Sequence, residues 1–170
     1  MGEKLLDVLL PKYHLHEYHD IQVNASVEDV YRAVHEVDFS DSRIVKTLMT
    51  LRGLPSKKMT LEAMVNGGKF FELGENKPEE YVFGFVDPSE FTWEESSENP
   101  NAGIRVACNF LCEPDGNGGT YLSTETRIQC MNKKAESIFR LYWFFVGPFS
   151  AWMRMCMLKG IKKKAETYSG

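Results

Sequence analysis

The stretch that decides the fold is KKAESIFRLYWFFVGPFSAWMRMCMLKGIKKKAET, residues 133–167. Ile138, Leu141, Tyr142 and Phe145 recur three or four residues apart, the spacing of one side of a helix. Trp143, Phe144 and Val146 fill the gaps, so this turn is apolar all round and is expected to be enclosed by protein. Beyond Gly147-Pro148 the stripe resumes as Phe149, Trp152, Met153, Cys156, Met157, Gly160 and Ile161. Arg154, Lys159, Lys162, Lys163 and Glu166 fall mainly on the other side. Pro148 cannot donate to the carbonyl of Phe144 and its ring crowds that carbonyl, so a kink or break is predicted there. Straight, such a helix would span roughly 50 Å. It reads as the organiser of the core, with Trp143, Phe145, Phe149 and Trp152 mostly buried.

The preceding chain is patterned to wrap around it. Leu5 to Leu10 suits a short helix stopped by Pro11. From Tyr13 to Ala25 the sequence alternates, with Tyr13, Leu15, Ile21 and Val23 on one parity, as a strand with one buried face requires. Ser26-Val-Glu-Asp opens a helix in the manner of a capping box, and Val30, Ala33, Val34 and Val37 give its apolar side. Ser40-Asp-Ser opens a second helix carrying Ile44, Val45, Leu48, Met49 and Leu51, closed by Gly53-Leu54-Pro55. Thr60 caps a third, through Val65. The period then changes to that of strands: Phe70 to Leu73, Tyr81 to Val86, Phe91 to Trp93, Ile104 to Cys112 and Thr120 to Met131, separated by turn-forming residues. With the first strand, these make six. Strands segregated from helices indicate an α+β layer fold, a curved antiparallel sheet around a long kinked C-terminal helix, with two or three short helices after the first strand. No domain boundary is visible within residues 1–170.

Bulk properties exclude some classes of function. A formal charge of −4 argues against a nucleic-acid partner, although Lys159 to Lys164 is locally basic. That basic end suits the C-terminus of a helix, and anionic lipid is the alternative partner for it. The longest charge-free apolar run, Leu141 to Met153, is shorter than the roughly 20 residues a membrane span needs. The N-terminus lacks the uninterrupted apolar core of a signal peptide, so a cytoplasmic location is expected. Cys108, Cys112, Cys130 and Cys156 then read as buried thiols, and none forms a CxxC pair. There is no cofactor motif and no metal cluster. His14 and His16 share one strand face while His19 points to the other, so the three do not converge.

Leu54-Pro55, the strand Ser-Thr-Glu-Thr-Arg at 123–127, and the terminal Arg-Leu-Tyr-Trp at 140–143, Gly-Pro-Phe-Ser at 147–150 and Leu158-Lys159 together resemble an uncharacterised bacterial branch of the START-like, or SRPBCC, superfamily. The likeness runs from about Asp7 to Glu166. It implies the helix-grip fold shared by polyketide cyclases, lipid-transfer domains and plant pollen allergens. It also implies a cavity closed by the C-terminal helix, and seven strands where six are counted here. Strand parity and the helix stripe place Phe71, Phe83, Phe85, Val106, Cys108, Phe110, Thr124, Thr126, Tyr142, Phe145, Trp152 and Cys156 on or near its wall.

Glu17 and His19 are the candidates for chemistry. Both share the parity of Leu15 and Ile21, so an unbroken strand turns them inward, where a carboxylate beside an imidazole can do acid–base work. A late or bulged strand would instead leave both in solvent. Glu125 and Arg127 share the opposite parity and are expected to pair on the sheet exterior. The function expected is binding of a hydrophobic or amphipathic small molecule, lipid-like or polyketide-like. The alternatives are a cyclase or dehydratase acting on such a molecule without metal, and a protein-interaction module with a collapsed pocket.

Overall fold

The computed structural model describes residues 4–51, 58–68 and 70–168. Helix α1 (Leu5–Leu9) precedes strand β1 (Leu15–Val23), helices α2 (Val27–Glu36), α3 (Arg43–Leu51) and α4 (Leu61–Asn66), strands β2 (Phe71–Asn76), β3 (Glu80–Asp87), β4 (Ile104–Pro114) and β5 (Thr120–Cys130), and helix α5 (Lys133–Glu166). The helices begin where hydroxyl and amide side chains can accept orphan amide protons. Ser26 accepts from the Asp29 amide, Thr60 from Ala63 and Asn132 from Ala135. The second helix starts later than its sequence suggests. Phe39–Asp41 forms a 3₁₀ turn first, and Asp38 clamps it by accepting from the amides of Ser40 and Met59. The side chains of Ile44, Leu48, Met49 and Leu51, and the Gly53-Leu54-Pro55 stop, lie outside the described residues.

Among the described residues the sheet has five antiparallel strands in the order β1-β5-β4-β3-β2. Phe91 to Trp93 is not a sixth. Trp93 instead packs on the outer face of the sheet, where the Arg105 guanidinium lies 4.1 Å from its ring. Gly84 in β3 allows the close packing there, since a Cβ would sit 2.4 Å from the Val106 carbonyl oxygen.

Both faces of the sheet are covered. On the outer face, α1 contributes Leu6 and Leu10 to a cluster with Val82, Val86 and Ala107. Two buried polar groups fasten it. Glu80 accepts from the amides of Leu5 and Leu6 and from Asn109 Nδ2. Arg127 is shared among Asp7 (2.5 Å), Glu125 (2.7 Å) and the carbonyls of Leu6 and Leu10. The expected Glu125–Arg127 pair therefore exists and also holds the N-terminal helix.

On the inner face, Phe83, Val106, Cys108, Phe110, Leu122 and Ile128 meet Met153, Met157, Leu158 and Ile161 of α5 in the larger core. Helix α5 runs without a break from Lys133 to Glu166, with Pro148 inside it. No helix among the described residues is long and apolar enough to cross a membrane. The four cysteines are free thiols. Cys108, Cys112 and Cys130 are buried and Cys156 is partly so, and burial alone pushes the Cys112 thiol up to about 12.

Candidate functional site

Strand β1 is an edge strand, and its inward positions carry polar groups. Burial alternates along it, so Leu15, Glu17, His19 and Ile21 turn toward α5 while His16, Tyr18 and Asp20 face water. The strand is unbroken, and Nε2 of His19 lies 2.7 Å from Oε1 of Glu17. Both side chains keep some access to solvent, 22% for His19 and 13% for Glu17. The other carboxylate oxygen of Glu17 is buried with no hydrogen-bond partner among the described residues.

The register extends this dyad across the sheet. Glu17 stands opposite Thr126, Thr126 opposite Cys108, and Cys108 opposite Phe83. Neighbouring strands are about 4.8 Å apart, so Glu17, Thr126 and Cys108 form a short row on the inner face. Thr126 Oγ1 lies 3.5 Å from Cys108 Sγ. From above, Arg154 of α5 donates to the same sulfur at 3.0 Å. Arg154 is only 8% exposed, and its Nε has no partner among the described residues. No carboxylate pairs with it among the described residues. A buried cation facing a thiol is poorly compensated, and each unsatisfied buried donor or acceptor costs about 1–3 kcal/mol. The row can thus hold an anionic group at Arg154 and move a proton at the Glu17–His19 edge.

An open antiparallel sheet whose order places β1 beside β5, packed against one long C-terminal helix, is the layout of the helix grip. The fold is a helix grip. No protein-family model and no curated protein matches the sequence. Among solved structures, a conserved protein from Geobacillus kaustophilus is similar at 14% identity and a TM-score of 0.49, covering 90% of this chain and 96% of that one. Norcoclaurine synthase from Thalictrum flavum is similar at 13% identity and a TM-score of 0.47, covering 92% and 96%. The Zhui aromatase/cyclase from Streptomyces sp. R1128 is similar at 11% and 0.41, covering 92% and 96%. Likeness at this level transfers no activity.

The helix-grip frame brings some of the anticipated wall residues together and disperses others. Phe83, Val106, Cys108, Phe110, Thr124 and Thr126 are buried on the α5 side, and Phe85 is partly buried there. The Thr124 hydroxyl is taken by the Asn109 carbonyl at 2.7 Å, which leaves Thr126 as the hydroxyl in the row. Phe71 belongs to the outer face, because it pairs with Gly84 and so shares the side of Val82 and Val86. Phe70 takes the inner place, with its ring 6.1 Å from that of Phe83 and 5.6 Å from that of Phe85. Tyr142, Phe145 and Trp152 are exposed, as is Phe149, while Trp143 is half-buried. The four exposed residues lie on the side of α5 turned away from the sheet, which no described element covers, whereas Trp143 packs toward the core.

Cys156 lines an open groove of about 500 Å³ between α2, the 39–41 turn and α5. Its floor includes Val37, Phe39 and Gly160, and its rim carries Asp41 and Lys163. A second, polar pocket of about 290 Å³ sits at the β4–β5 turn. Its carboxylate, Asp115, is held low by the amides of Asn117 and Gly119 and by Gln22, and so serves the turn. His14 precedes β1 and accepts from the Cys130 amide at 3.0 Å, and His16 lies outward with its ring 5.3 Å from that of Tyr13.

Sequence reasoning grouped Arg154 with the solvent-facing lysines and so missed it. The signal was present. Arg154 lies four residues after Ser150, four before Leu158 and seven before Ile161, all of them buried.

Proposed function

We propose that the protein binds a hydrophobic or amphipathic small molecule between the inner face of its sheet and α5, with an acidic group of the ligand set against Arg154. The observation that supports this reading is the row of Glu17, Thr126, Cys108 and Arg154 on an otherwise apolar face, with hydrogen-bonding capacity left over at both ends. A ligand carboxylate would satisfy the guanidinium, and its apolar body would lie against Phe83, Phe85 and Phe110. Native mass spectrometry of freshly purified protein should show a bound small molecule. Titration with a fluorescent fatty acid and with the matching fluorescent alcohol tests the anchor. Arg154→Met should weaken the acid at least about tenfold, since hydrogen bonds to charged groups contribute about 1.5–3 kcal/mol, and leave the alcohol nearly unchanged. Failure of the unmodified protein to bind either probe, or equal losses for both, would refute the proposal.

The Glu17–His19 dyad favours a second reading, acid–base chemistry of the cyclase or dehydratase kind on the same ligand. In that case Glu17→Gln and His19→Ala would abolish turnover while leaving probe affinity nearly intact. A carrier would show no turnover in any variant.

A further inference from the structure

The exposed side of α5 has no role in the ligand reading. Ile138, Leu141, Tyr142, Phe145, Phe149 and Trp152 follow one another at intervals of three, one, three, four and three residues, and all are solvent-exposed. That is a single stripe of the kind that pairs helices. Phe144 flanks it and is 77% exposed. With about 150–250 Å² of surface per aromatic side chain, the stripe presents roughly 800 Å² of apolar area. Monomeric proteins typically expose patches of at most about 300–600 Å², and a stable interface covers about 800 Å² on each partner.

From these observations we infer that α5 is a homodimer interface, in which the stripes of two copies pack antiparallel about a two-fold axis at Phe145. The area on one chain matches what one partner of a standard interface contributes, and a two-fold interface needs only one self-complementary patch. The stripe runs from Ile138 to Trp152, so pairing that covers all of it must centre on the midpoint, Phe145. Ile138 then faces Trp152, Leu141 faces Phe149, and Lys134 reaches Cys156 at the mouth of the groove whose rim includes the Asp41 carboxylate. A parallel arrangement would set Lys134 against Lys134 and Lys159 against Lys159, and would align the helix dipoles. The antiparallel one avoids both.

Sedimentation velocity at micromolar concentration should give twice the chain mass of 19.5 kDa. Phe145→Glu should weaken the dimer at least about 30-fold, the effect of a central hot spot, with far-UV circular dichroism unchanged. Because Phe145 lies on the axis, Phe145→Cys should form a disulfide-linked dimer on mild oxidation, and Val8→Cys, exposed on α1 across the sheet from α5, should not. A monomeric unmodified protein would overturn the inference. So would a dimer that Phe145→Glu leaves intact, or one that Phe145→Cys does not cross-link. Flotation of the unmodified monomer with phosphatidylglycerol vesicles, lost in Phe145→Glu, would also overturn it by assigning the stripe to an anionic lipid surface.

Discussion

From Ser150 onward α5 buries Ser150, Met153, Arg154, Met157, Leu158 and Ile161, whereas before it Leu141, Phe144, Phe145 and Phe149 stand in solvent. The exposed half is the more aromatic of the two, so hydrophobicity did not decide which was covered. Neighbours decided. Along the C-terminal half the sheet takes one side, while the end of α2 and the 39–41 turn flank another at Cys156, Gly160 and Lys164. Along the N-terminal half the described residues cover only the sheet side, by packing of Ala135, Phe139 and Trp143. A helix that is apolar all round needs partners on more than one side.

The contrast can be broken by mutation, most forcefully at its buried end. Leu158 is fully buried, so Leu158→Ala should cost about 3 kcal/mol through lost burial and the cavity left behind. Urea unfolding would read this as a lower midpoint. A loss below about 1 kcal/mol would show that the C-terminal half is not the packed one.

Next in size is the junction. Pro148 is exposed and denies the Phe144 carbonyl its helical donor. Pro148→Ala, measured in the Phe145→Glu background to keep the chain monomeric, should therefore stabilise the fold by about 2 kcal/mol. That figure is the helix-interior penalty of proline less the unfolded-state entropy that proline removes. Unchanged stability would mean that packing, not the missing donor, limits this part of the helix.

At the exposed end, Leu141→Ala in the same background should change stability by less than about 0.5 kcal/mol, since Leu141 is 65% exposed. A loss comparable to that of Leu158→Ala would erase the difference between the halves.

The smallest effect concerns α2, which flanks the buried half. His35 sits between the rings of Tyr31 and Tyr81, 5.0 and 4.9 Å away, with Nε2 3.2 Å from Glu75 Oε1. Burial holds its imidazole below the ordinary value, and the nearby Lys77 adds to this, despite the opposing pull of Glu75. The folded state then binds fewer protons than the unfolded chain, so stability declines as pH falls from the ordinary imidazole value toward the lowered one. His35→Gln should flatten the urea midpoint between about pH 7 and about pH 5, a range where carboxylates contribute little. An unchanged slope would remove His35 from the account.

Much of the architecture was legible because it is encoded locally. Ser26 and Thr60 accept the amide protons that begin two of the helices, and a hydroxyl at a helix start announces itself in sequence. Alternation along β1 placed Glu17 and His19 on one face, and the two-residue period of a strand left no other outcome once the strand was unbroken. The choice between Phe70 and Phe71 was not local. It followed from the pairing of Phe71 with Gly84 across β3 and from the register shift between Glu72 and Gly74.

The sequence by itself determined which residues share a side of a helix or strand, because backbone periodicity does not depend on distant partners. Only the tertiary structure decided which of those sides is covered. Arg154 falls on the covered side of α5 and is carried to Cys108, whereas Tyr142, Phe145 and Trp152 fall on the open one. The reason is geometric. A single sheet screens one side of a 34-residue helix, and the described helices between β1 and β2 flank only its C-terminal half.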